Sequence, residues 1–249
     1  LGDIAMYYYR NGKTAEFKEY KKIIEKLPRK DGDFYEFMIR SSEIEDNDQD
    51  VILYSKKLIG TDPGNLKTRM KLGEYYLKTK NNKEALSEFQ EISKRLNTYP
   101  KVHFNVARAY INLKQYDLAL RSAKEEIKQN PTLPFGHYIA GEIYRLTGEN
   151  GKALPYFEKA ISKNSRLVPA LMGLGYIKYK RNLLEPAREF YKRALKEEPN
   201  NPEIHKQLGY IYNASGQASL AAESFETYLR LDPGAIDKPE IEKYIRALR

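Results

Sequence analysis

Three histidines, His103, His137 and His205, are the side chains of this chain best suited to holding a transition metal or shuttling a proton. They stand 34 and 68 residues apart. Equivalent places in successive packed helices are at least ~8–10 Å from one another, too far for a shared zinc with nitrogen ligands at ~2 Å, so a structural role is expected. The acidic run Glu43, Glu45, Asp46, Asp48, Asp50 alternates like a calcium loop. With Asp46 as first ligand, however, the sixth place holds Val51 where the sharp turn needs glycine, and the twelfth holds Lys57 where a bidentate glutamate belongs. The run reads as a solvated turn, or as a charged contact for a basic partner. Carboxylate pairs such as Glu125-Glu126 and Glu197-Glu198 sit among lysines and read as solvated helix faces. No dinucleotide glycine fingerprint, phosphate-binding lysine loop, nucleophile elbow or paired-histidine zinc helix occurs, and there is no cysteine to act as nucleophile, disulfide or cluster ligand. No enzyme, cofactor or metal is expected within these residues.

The elements that would position any surface repeat. His205, Leu208, Gly209, Tyr212, Gly216, Ala221 and Phe225 recur 68 residues earlier as His137, Ala140, Gly141, Tyr144, Gly148, Ala153 and Phe157. Half that spacing finds Leu171, Leu174, Gly175, Ala187, Tyr191 and Ala194, and earlier copies hold His103, Val106, Ala107, Tyr110 and Ala119, then Arg69, Leu72, Gly73, Tyr76, Ala85 and Phe89. Copies beginning at 32, 66, 100, 134, 168 and 202 keep one register of 34 residues without insertion or deletion.

Positions 4, 7, 8 and 11 of each copy form the apolar stripe of a first helix, and positions 20, 24, 27 and 28 that of a second. Turn residues such as Asn81-Asn82, Gly148 and Ser215-Gly216 separate them, and Pro63, Pro131, Pro199 and Pro233 stop the second helices. Pro155 and Pro186 fall near second-helix starts, where a missing N–H matters least. The pattern resembles the tetratricopeptide repeat, whose signature is W-x2-L-G-x2-Y, then A-x3-F, then P. The resemblance implies an all-α fold, a right-handed α-solenoid of stacked antiparallel helix hairpins. Expected divisions are a partial hairpin at 1–31, with Tyr8, Gly12 and Ile24 near their places and the later register off by about one, and a degenerate copy at 32–65. Full copies follow at 66–99, 100–133, 134–167, 168–201 and 202–235, then a capping helix at 236–249 with Asp237 as its N-cap. The tryptophan position holds His, Leu, Arg or Tyr, and the degenerate copy has Ile39 for glycine, Ser42 for tyrosine and Val51 for alanine. The bulkier Ile39 is expected to hold its helices further apart, making that copy a weak link.

The 249 residues carry 43 Lys and Arg against 34 Asp and Glu, a net charge of +9, but the excess is spread thinly and residues 32–65 carry −5. Many lysines lie on second helices or their ends, where the helix dipole favours them, so nucleic acid is not the expected partner. At a mean hydropathy of −0.71 no stretch is suited to crossing a membrane. The chain begins with Leu1 in a helical pattern, which is the expectation for a piece of a longer or processed protein. For compartment, the cytoplasm is placed ahead of a bacterial periplasm.

The stripe at positions 2, 5, 9 and 12 runs beside the core stripe of each first helix. In the resembled family this stripe lines a concave, peptide-holding surface. Here it offers Met70 and Glu74, then Phe104 and Arg108, then Phe135, Tyr138, Glu142 and Arg145, then Met172, Tyr176 and Tyr179, then Tyr210; the degenerate copy offers Asp33, Glu36, Arg40 and Glu43. Aromatic, methionine and arginine side chains give contact energy at low ordering cost, so these are the candidate peptide-binding residues. The carboxylate-holding subtype of the family is not matched: Asn105 stands at position 6, but Met70, Glu74, Phe135 and Ile139 occupy the places its partners need. The reading is a non-enzymatic scaffold that binds a protein or peptide segment, with no small-molecule substrate. The alternatives are a self-assembling adaptor using convex or end-repeat surfaces, including a homo-oligomer, and, behind it, an RNA-binding helical repeat.

Overall fold

Seven residues with left-handed backbone fall at one spacing of 34: Gly12, Asp46, Lys80, Lys114, Gly148, Asn182 and Gly216, with φ between 53° and 82°. Each ends a first helix and reverses the chain into a second, so seven hairpins share one turn geometry. The computed structural model describes residues 1–28 and 30–249. Among them only helices are found, in two units, Leu1–Ala119 and Leu120–Arg249. The first unit contains α1 (Gly2–Arg10), α2 (Thr14–Glu25), α3 (Gly32–Ile44), α4 (Asp48–Thr61), α5 (Leu66–Lys78), α6 (Asn82–Arg95), α7 (Val102–Asn112) and the start of α8 (Tyr116–Gln129). The second holds the rest of α8 with α9 (Phe135–Leu146), α10 (Asn150–Lys163), α11 (Val168–Lys180), α12 (Leu184–Glu197), α13 (Pro202–Ala214), α14 (Ala218–Leu231) and α15 (Lys238–Leu248).

In each unit a hairpin stacks through its second helix on the first helix of the next, as α4 on α5 and α12 on α13. Local chemistry starts several helices: the carboxylate of Asp31 accepts from Phe34 N at 3.2 Å, and Asn65 Oδ1 accepts from Thr68 N at 3.0 Å. The family's tryptophan position has a different task here. Arg69 Nη2 reaches the Pro63 carbonyl at 3.5 Å, His103 Nε2 the Asn97 carbonyl at 3.1 Å, and His205 Nε2 the Pro199 carbonyl at 2.8 Å. These side chains tie down the turns between hairpins. His137 instead lies tilted beside Tyr156, ring centres 6.3 Å apart, and burial with Lys163 and Lys159 nearby pushes its pKa down.

Position 8 glycines and position 24 rings interlock. A Cβ on Gly73 would lie 2.4 Å from Phe89, on Gly175 2.6 Å from Tyr191 and on Gly209 2.5 Å from Phe225. In the degenerate copy the two positions hold Ile39 and Ser55, both buried. Bulk has moved from the second helix to the first, so the reason to expect a wider helix pair there is gone. Other expectations are corrected as well. The register of the first hairpin holds through Gly12, Phe17 and Ile24, because Phe17 and Ile24 are buried 34 residues before Val51 and Leu58. Glu126 is not solvated but fully buried, since it occupies the inward-facing position 27; Asn130 Nδ2 donates to it at 3.2 Å. Pro155 lies inside α10 rather than at its start, on an exposed face where water can serve the carbonyl it leaves unbonded. Asp237 makes no side-chain cap; its carboxylate instead accepts from the Tyr228 hydroxyl at 2.5 Å and from Lys206 Nζ at 3.3 Å, fastening the start of α15 to α13 and α14.

Candidate functional site

First helices lie side by side along one face of each unit, and positions 5, 9 and 12 of one helix meet position 6, 9 or 10 of the next. In the first unit this contact is consumed by packing and polar bonds. Met70 is a core residue, 9% exposed within the α5–α7 cluster, and so leaves the groove set: Asn105 Nδ2 approaches its sulfur at 3.3 Å. The same Asn105 amide donates to Glu74 Oε1 at 3.3 Å, and its oxygen accepts from Arg108 Nη1 at 3.1 Å. Glu74 and Arg108 remain exposed, and the Arg108 guanidinium lies 5.7 Å from the Phe104 ring centre.

The second unit opens a cavity of about 300 Å³ between α9, α11 and α13. Five of the expected residues line it: Tyr138, Glu142, Arg145, Met172 and Tyr176. Arg145 holds Glu142 with two hydrogen bonds, Nε to Oε2 at 2.8 Å and Nη2 to Oε1 at 2.6 Å, and its guanidinium lies 5.1 Å from the Tyr176 ring centre. The Glu142 hydrogen bond holds the arginine pKa above its ordinary value although burial opposes it. The pair is mutually neutralised and fixed in a planar fork, which presents a stacked π surface rather than a free charge. Lys180 Nζ lies 5.6 Å from the same Tyr176 ring centre.

The stripe does not account for the floor. Tyr191 of α12 closes it, its hydroxyl pKa raised by burial and by the Glu203 carboxylate. Gly173 lets that floor form, because a Cβ there would stand 2.6 Å from Phe157. Pro169 and Glu203 lie on the stripe, whereas Gly173, Tyr191 and Gln207 do not. The close glycine and the buried ring at a core position were the available signals for two of them.

The remaining expected residues stand outside the cavity. Phe135 is half-buried at the start of α9, and Tyr179 packs on the cluster of Val168, Leu171 and Tyr191. Tyr210 is corrected from open groove to covered surface: its ring lies 5.1 Å from Phe225 and 5.7 Å from Tyr244, because α15 takes the place of a further first helix. Lys206 is likewise occupied, by Glu203 at 2.8 Å and Asp237 at 3.3 Å. The arrangement can hold apolar or amide-rich groups.

Comparison with known proteins agrees with this architecture. Three profiles described as tetratricopeptide repeat match residues 104–169, 145–208 and 203–234. The chain is 29% identical over 171 residues to the TPR repeat-containing protein MJ1428 of Methanocaldococcus jannaschii, an alignment covering 68% of this chain but 30% of that protein, so the chain spans under a third of that relative. Its fold is similar to that of TTC0263, a thermophilic TPR protein of Thermus thermophilus, at a TM-score of 0.62 and 21% identity over 73% of this chain and 99% of that one. It is also similar to a chain of the APC/C hetero-tetramer Cut9-Hcn1, at a TM-score of 0.77 and 12% identity over 98% of this chain and 48% of that one. Proteins built on such repeats act in general as protein-interaction scaffolds. With the 34-residue period running through every hairpin and matched by profile from 104 to 234, the chain belongs to the tetratricopeptide repeat family.

Proposed function

We propose that the chain is a non-enzymatic scaffold whose second unit holds a segment of another protein in the cavity between α9, α11 and α13. The single observation carrying this reading is the concave cavity itself, in which Tyr138, Tyr176 and Met172 surround a pre-fixed Glu142–Arg145 pair. Rigid rings already stacked and charges already paired lose little freedom on binding, so contact area converts into affinity. Mutual neutralisation of that pair favours a segment presenting an apolar or aromatic side chain over one presenting a bare charge.

Peptides selected from a random library on the intact chain supply the probe. Replacing Tyr138 and Tyr176 by alanine should weaken such peptides by roughly 1–3 kcal/mol per ring, about 5-fold to 150-fold each, with the melting temperature retained. Unchanged affinity would place binding elsewhere, and a melting loss equal to that of Phe157→Ala would make the rings structural.

A specific observation also favours self-association as a second reading. Ile4 on α1 is 45% exposed and Tyr7 61%, while Met38, Leu72, Leu174 and Leu208, at the repeat position of Ile4, are at most 3% exposed. The outer face of α1 thus exposes apolar side chains that a helix of a second copy could cover. Sedimentation of the native chain against Ile4→Ser with Tyr7→Ser decides it: concentration-dependent association removed by the pair supports this reading, and a monomer throughout removes it.

A further inference from the structure

A cavity of about 710 Å³ in the first unit lies between α1, the end of α2 and α3. At this place α1 carries Gly2 at repeat position 5, where later first helices carry Met70, Phe104, Tyr138 and Met172, and a Cβ on Gly2 would stand 3.3 Å from Phe37. Met6, Ile24, Leu27, Phe34 and Phe37 make its apolar floor. Its rim carries Asp3, Asp33 and Glu36, with Asp31 and a single base, Arg40, also lining it.

Residues 31–50 hold eight carboxylates and one base, and the acids at the groove differ from the others of that stretch. Lysines of the chain consume the far end: Lys21 reaches Glu45 at 2.6 Å, Lys71 reaches Glu43 at 2.7 Å, and Lys78 reaches Asp48 at 2.7 Å and Asp46 at 3.2 Å. At the groove, Asp31 is engaged by the N-terminus of α3, and Glu36 has only the long 3.7 Å pair with exposed Arg40 among the ion pairs of the described residues. Asp3 and Asp33 enter no ion pair among the described residues. Lys30 Nζ lies 5.1 Å from the Phe34 ring centre, which shows that the floor's aromatic face accepts an ammonium.

We propose that this groove is a second docking site, selective for a segment of a partner protein that carries lysine or arginine around an apolar anchor. The anchor enters the apolar floor, and the basic groups meet Asp3, Asp33 and Glu36. The chemistry is opposite in emphasis to that of the second unit, where the charges are already paired, and the proposal does not rest on the reading of that cavity. In a chain of net charge +9 a local acidic rim also opposes the rest of the surface, so it orients a basic partner toward this one place.

The test uses the intact chain and its Asp33→Lys, Glu36→Lys variant, whose substitutions fall on exposed positions. A random peptide library is selected on the native chain after removal of everything the variant retains. The expected survivors are net positive with Leu, Met or Phe anchors. Labelled copies should bind the variant at least about ten-fold more weakly at low salt, the gap narrowing as salt rises. Tyr138→Ala with Tyr176→Ala should leave them unaffected, which separates this site from the other. The proposal is overturned if no peptide depends on the two acids, if the dependent peptides are neutral or acidic, or if the charge reversal alters only self-association in sedimentation.

Discussion

Glycine at position 8 and an aromatic ring at position 24 are two halves of one packing arrangement, and the pairing predicts its own failures. In Gly175→Ala the new Cβ meets the buried Tyr191 ring at 2.6 Å, so overpacking should destabilise the chain by roughly 1–3 kcal/mol in urea denaturation. Adding Tyr191→Leu should recover part of that loss; strict additivity of the two changes would mean the residues do not share one space. A titration prediction concerns Asp237. Burial pushes its carboxyl upward, but the Tyr228 hydroxyl and the Lys206 ammonium outweigh this and hold the pKa below the usual carboxylate value. A depressed folded-state pKa gives stability that is complete above the unfolded value of about 3.9 and is lost as the pH falls through the folded value. Asp237→Asn should therefore lower the melting temperature at neutral pH, with the gap to the native chain closing under more acid conditions. A gap that stays constant down to strong acid would show that charge plays no part in the latch.

The turns inside the hairpins offer a gain rather than a loss. Lys80, Lys114 and Asn182 adopt the left-handed conformation that glycine takes at the same place in three other hairpins. Lys80→Gly and Lys114→Gly should each stabilise by roughly 0.5–1 kcal/mol, because a side chain is strained at positive φ. No gain in denaturation would mean that their side chains compensate for the backbone strain. In the degenerate hairpin the exchange of bulk between Ile39 and Ser55 fills space, yet the hydroxyls of Ser41 and Ser55 are buried without hydrogen-bond partners. Amides of α3 and α4 should consequently exchange faster than those of α11 to α14; equal protection would deny those hydroxyls an energetic effect. The helices and their turns were legible because a 34-residue period repeats each apolar stripe several times over. The cavity was legible in its walls, since Tyr138, Arg145 and Tyr176 share one helix-face spacing. Its floor was less so, because Tyr191 and Gly173 belong to the core pattern and only the crossing of helices shows that they border open space. Tyr210 fits the same stripe as Tyr176, and the ring of Tyr244 on α15 is what removes it from the open surface. Glu126 carried a signal that charge alone obscured: its place on the stripe outweighs its type.

For the chain taken entire, charge is the property most easily misread. A net charge of +9 suggests nucleic acid, but bases such as Arg69 and Lys206 are already occupied by carboxylates, Arg69–Glu88 at 2.6 Å and Lys206–Glu203 at 2.8 Å. Binding to single-stranded RNA should accordingly be weak at physiological salt and show a shallow salt slope. The central claim, a segment held by the first helices of the second unit, is tested most directly by hydrogen exchange of the intact chain with and without a peptide selected on it. Added protection is expected in residues 135–146, 168–180 and 202–214, the helices that border the cavity, and it should disappear in the chain carrying Tyr138→Ala and Tyr176→Ala. Protection confined to 150–163 and 184–197, the second helices, would contradict the claim.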